Sequence, residues 1–152
     1  MVVILVILIL AVLILVVLRI VVVAEDDDDL RELLLTALAG DDRQLIEIED
    51  GAELLDYLDF LVARGVQTQL PDLILTDVRM PGASGLQVVG LARARGMGCP
   101  VIILTGFPDE GLLEAAAAVG GTWVLGKPQP LEAIKAVAAA ALARPRASGH
   151  LG

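Results

Sequence analysis

PDLILTDVRMPGASGLQVVGLARARG, residues 71–96, holds a strand, a turn and a helix in one stretch. Residues 72–76 are a short apolar run of strand length, and Asp77 closes it. Met80, Pro81 and Gly82 have the composition of a turn. Ser84 and Gln87 stand at the spacing where an N-cap side chain and the third helical residue satisfy each other's backbone donors. A helix is therefore expected over residues 85–95, with Gly96 where it should stop.

The same unit recurs on both sides. Strand-length apolar runs at residues 19–24, 44–49, 100–105 and 122–125 alternate with helical periods at residues 29–39, 52–64, 109–119 and 130–142. Five β/α repeats rich in Val and Ile suit a parallel sheet covered on both faces and joined by right-handed crossovers. Asp50 with Glu53 repeats the capping-box spacing, and Gly40 and Gly65 fall at expected helix ends. Leu33, Leu34, Ala37 and Leu38 form the expected inward face of the first helix of this series.

Composition narrows the function. At 152 residues the chain suits one domain, expected over residues 19–143 with a short disordered tail at 144–152. Its apolar fraction of 57% is high because residues 1–18 are wholly apolar; without them the rest is about half apolar, as usual for a globular domain. A net charge of −9 argues against nucleic acid, whose phosphates are held by clustered Lys and Arg. Cys99 is the only cysteine and reads as a small buried residue, not half of a disulfide.

Ligands of an open parallel sheet bind beyond the carboxyl ends of its strands. Glu25 and Asp26 follow the first strand, Asp77 ends the third and Thr105 the fourth, and Lys127 with Pro128 follows the fifth. Three converging carboxylates repel one another, so the cluster makes physical sense chiefly around a cation. Oxygen ligands favour Mg2+, and the lack of a His/Cys constellation disfavours zinc. Transfer of a phosphoryl group to a carboxylate needs an attacking aspartate, a metal and a nearby cation, for which Lys127 is available; Thr105 is the available hydroxyl donor. Spacing alone leaves open which carboxylate is the nucleophile.

RIVVVAEDDDDLRELL at residues 19–34, PDLILTDVRMPGASG at 71–85, PVIILTG at 100–106 and LGKP at 125–128 together resemble the receiver domains of two-component response regulators. The likeness runs from about Arg19 to about Leu142. It implies a doubly wound, flavodoxin-like (β/α)5 fold with strand order 2-1-3-4-5. It also implies Asp77 as phospho-acceptor and a Mg2+ site from Glu25, Asp26, Asp77 and the backbone carbonyl of Arg79. Thr105 would be the switch hydroxyl, Lys127 the phosphate partner, and the bond before Pro128 a cis peptide. The implied partners are a sensor histidine kinase or histidine phosphotransfer protein, and a downstream protein meeting residues 109–142. The family often places an aromatic side chain three residues before the lysine. Here Val124 stands there, and Trp123 should face the other side of its strand.

The expected function is a single-domain response regulator of the cytoplasm that modifies itself and turns over no metabolite. Two other readings stand beside it: a receiver-like scaffold independent of phosphorylation, which Val124 favours, and a small Mg2+-dependent phosphohydrolase, which Arg79 disfavours by standing where a second aspartate would be needed. Asp28 and Asp29 read as a solvated helix start, with Asp27 open between that and the metal cluster. Glu53, Asp56 and Asp59 read as a wet helix face, Tyr57 and Phe60 as packing residues, Phe107 as a screen over the acyl phosphate, and His150 as inert. Residues 1–18, a helix of roughly 27 Å, are either a candidate membrane anchor or a misassigned translation start.

Overall fold

The structure, a computed structural model, describes residues 1–65 and 70–145, with only the backbone described at residues 14–17. The expected tail lies outside the described residues from position 146 onward, His150 included. The chain runs α1 (Val2–Val17), β1 (Arg19–Ala24), α2 (Asp28–Leu38), β2 (Arg43–Ile48), α3 (Gly51–Arg64) and β3 (Leu73–Asp77). It continues with α4 (Gly85–Ala94), β4 (Val101–Thr105), α5 (Glu110–Val119), β5 (Thr122–Gly126) and α6 (Leu131–Leu142). The five strands form one parallel sheet in the order β2-β1-β3-β4-β5, the flavodoxin-like arrangement.

Alternation along each central strand feeds two cores. Val22, Ala24, Ile74 and Ile103 meet Leu54 and Leu58 of α3 and Val88 of α4 on one face. Val21, Val23, Leu75 and Ile102 meet Leu34 and Leu38 of α2 and Ile134 of α6 on the other. Val124 packs on the first face and Trp123 on the second, as the period of a strand requires. Cys99 is buried, and burial pushes its thiol pKa up. Tyr57 packs on the first core, whereas Phe60 stays exposed under the Arg64 guanidinium, 4.8 Å above its ring.

Three expectations need correction. Leu33 is 51% exposed, and the inward stripe of α2 runs instead through Arg31, Leu34 and Leu38. The helix is turned so that an arginine enters the interior, which is tolerable because carboxylates and a carbonyl meet it there. Ser84 and Gln87 make the full reciprocal cap, but the Glu53 carboxylate accepts from the Glu49 N–H, one residue short of Asp50. The N-terminal helix has 16 residues, about 24 Å, since Met1 and Leu18 lie outside it, and Arg19 of β1 donates its N–H to the Asp42 carbonyl at 2.8 Å. Residues 1–13 are exposed, and among the described residues no helix is long and apolar enough to cross a membrane.

The lower edge of the sheet is pinned by Asp72. Its Oδ2 accepts the Ile20 N–H at 2.8 Å, its Oδ1 meets the Arg19 guanidinium at 3.1 Å, and its own N–H donates to the Ile20 carbonyl. These contacts fix Val21 opposite Leu73, and so decide which residues of β1 and β3 reach the upper edge together. Asp72→Ala should leave the Ile20 N–H unpaired in a half-buried site and cost about 1–3 kcal/mol in urea unfolding.

Candidate functional site

At the upper edge, β1 and β3 end side by side, with Ala24 opposite Thr76. Glu25, Asp26 and Asp77 each bring a carboxylate oxygen to within 4.8 Å of the others. Glu25 is 1% exposed while Asp26 is open to solvent, so the cluster has a buried wall and a wet mouth. Lys127, carried in from the end of β5, donates from Nζ to Glu25 Oε2 at 2.8 Å and to Asp77 Oδ2 at 3.0 Å. Its own N–H donates to the Thr105 carbonyl at 2.6 Å, and the Lys127–Pro128 bond is cis, as expected.

The electrostatics follow from that arrangement. Burial raises the Glu25 pKa, the Lys127 ammonium opposes the rise by hydrogen bond and charge, and the Asp77 charge adds to it. Burial alone would lower the Lys127 pKa, but its hydrogen bonds to Glu25 and Asp77 prevail and raise it. Lys127 therefore stays charged between two carboxylates. One ammonium against three carboxylates leaves net negative charge, and the all-oxygen donor set fits Mg2+.

Local backbone holds each group. The Glu25 N–H donates to the Ile48 carbonyl, and Glu25 Oε1 accepts the Asp27 N–H at 3.2 Å. Asp27 itself is the N-cap of α2, accepting from the Leu30 N–H at Oδ1, and Asp28 pairs with Arg31. Asp77 Oδ1 accepts the Arg79 N–H at 3.2 Å. Only glycine fits at the start of α4, since a Cβ at Gly85 would run into the Asp77 carbonyl oxygen.

Thr105 is buried, and its Oγ1 accepts the Phe107 N–H at 3.1 Å. Phe107 is 72% exposed, and the Arg79 guanidinium lies 5.7 Å from its ring centroid, a contact between two loops that neither local sequence reveals. Sequence reading also missed Arg31, whose Nη1 donates to the Glu25 carbonyl at 2.7 Å. The available signal was an arginine three residues after Asp28 and three before Leu34 on the apolar stripe of α2.

Residues 21–139 match the response regulator receiver domain family. The chain belongs to that family. It is 34% identical over 109 residues to the DNA-binding transcriptional regulator NtrC of Escherichia coli, an alignment covering 72% of this chain and 21% of NtrC. Against the transcriptional regulatory protein FixJ of Azorhizobium caulinodans, identity is 42% over 77 residues, covering 51% of this chain and 36% of FixJ. The chain thus spans about a fifth of NtrC and about a third of FixJ. The chemotaxis protein CheY4 of Vibrio cholerae shares the fold, with a TM-score of 0.68, 24% identity, and coverage of 82% of this chain and 99% of that one.

The receiver site stores charge that Lys127 offsets. Lys127→Met should cost about 3 kcal/mol in urea unfolding without metal, because Glu25 is then buried without its cation. Adding Glu25→Gln to that variant should recover most of the loss, measured as a double-mutant cycle.

Proposed function

We propose that residues 19–143 act as a phospho-accepting receiver, with Asp77 taking a phosphoryl group from a phosphohistidine of a sensor kinase or histidine phosphotransfer protein. The observation that carries this reading is Lys127 Nζ between Glu25 and Asp77, with the Asp26 carboxylate beside them. An Asp77 carboxylate oxygen attacks phosphorus, the phosphorus–nitrogen bond breaks, and the imidazole leaves with its electron pair and takes up a proton. Lys127 is in place to neutralise a phosphoryl oxygen once its bond to Asp77 is given up. Glu25, Asp26, Asp77 and the Arg79 backbone carbonyl would hold Mg2+, which supplies further charge neutralisation at the phosphoryl oxygens.

Thr105 is suited to report the event. Its hydroxyl oxygen accepts from the Phe107 N–H, and the same hydroxyl can donate its proton to a phosphoryl oxygen. Thr105 also pairs with Gly126 in the sheet and with Lys127 through its carbonyl, so its displacement would move the end of β5. The surface formed by α5, β5 and α6, with Leu113 exposed on α5, is the one whose docking to a downstream protein would change. Val124 offers no aromatic ring to swing, so this readout runs through backbone pairing. Such a relay modifies itself and turns over no metabolite; its place is the cytoplasm, where histidine kinases expose their phosphohistidine.

Incubating the protein with Mg2+ and acetyl phosphate, with Asp77→Asn in parallel, tests the reading by intact mass and phosphate release. The expected result is one phosphoryl adduct, stable in acid and labile in base, absent from Asp77→Asn. No adduct in either protein supports the phosphorylation-independent scaffold, and continuous phosphate release at high turnover supports a phosphohydrolase.

A further inference from the structure

Arg31 is 6% exposed, and each of its three guanidinium nitrogens has a hydrogen-bond partner. Nη1 donates to the Glu25 carbonyl at 2.7 Å, Nε to Glu47 at 2.8 Å and Nη2 to Asp28 at 2.6 Å, with Glu49 3.8 Å from Nη2. These groups come from the tip of β1, the end of β2 and the first turn of α2. The bond to Glu25 goes to its backbone, not to the carboxylate. It therefore bears on where the Glu25–Asp26 segment lies and takes nothing from the ligand oxygens. A planar fork with five N–H groups reaches three such directions at once; an ammonium on a flexible stem does not.

We propose that Arg31 is a positioning residue of the divalent-cation site, holding the Glu25–Asp26 tip by the geometry of its guanidinium and not by its charge. This rests on the Mg2+ site proposed above. The two roles have opposite signs. If Arg31 acted only as a positive charge near the acidic rim, removing it would leave more negative charge around the cation and tighten binding. If it acts by position, removing it frees the Glu25 carbonyl, lets the tip of β1 move away from Asp77 and weakens binding. Arg31→Lys separates these further, because it keeps the charge and loses the fork.

The test is calorimetric titration of MgCl2 into the full unphosphorylated chain, with urea unfolding run on the same samples. Arg31→Lys and Arg31→Met should each weaken Mg2+ about tenfold, the usual loss when the support of a metal ligand is removed. Unchanged affinity in both variants, or tighter binding in Arg31→Met, overturns the role while leaving the cation site standing. A wild-type chain that takes up no Mg2+ overturns the site itself and this role with it. Should an Arg31 variant fail to fold, Glu47→Gln trims the Nε partner at a carboxylate that is 53% exposed. It should weaken Mg2+ in the same direction by less, and unchanged affinity there counts against the role.

Discussion

Lys127 Nζ lies 2.8 Å from Glu25 Oε2 and 3.0 Å from Asp77 Oδ2, and without it the tips of β1 and β3 would hold unopposed negative charge. The strands below them are apolar on both faces, so this charge has little protein polarity to spread into. The ammonium opposes the burial-driven rise of the Glu25 pKa and holds the two carboxylates close. Releasing Asp77 to a phosphoryl group would transfer part of that attraction to the new oxygens.

The rest of the fold serves to keep that contact in register. Asp72 fixes β1 against β3 at the lower edge, and the pairing carries Ala24 level with Thr76 at the upper one. Gly85 lets the first turn of α4 close against the Asp77 carbonyl, and Arg31 ties the tip of β1 to the end of β2. Thr105 enters from β4, level with Gly126 of β5, so three adjacent strands contribute to one rim and β5 delivers the cation just beyond its end.

Much of this was legible from sequence because two periods differ. Short Val/Ile runs and helical spacings mark their elements locally, and in an open parallel sheet the residues after each strand must share one edge. The convergence of Glu25, Asp26, Asp77 and Lys127 was readable for that reason, as was the place of Thr105 at the end of β4. Arg31 was not, since Glu47 lies 16 residues away on β2, and hydrophobicity alone prefers Leu33 for the interior. The Arg79–Phe107 contact likewise joins two loops whose approach depends on the packed sheet. The apolar start was misjudged in length by Met1 and Leu18, because a wholly apolar run carries no capping residue to mark either helix end.

The central claim is that a divalent cation is held between the tips of β1 and β3. Paramagnetic broadening of backbone amide signals by a trace of Mn2+ tests it without any phosphodonor. Selective loss of signals from residues 25–27 and 77–79, reversed by excess Mg2+ and absent in Asp26→Asn, is the predicted result. Broadening centred instead on the exposed carboxylates Glu53, Asp56 and Asp59 of α3, or no selective broadening, would contradict it.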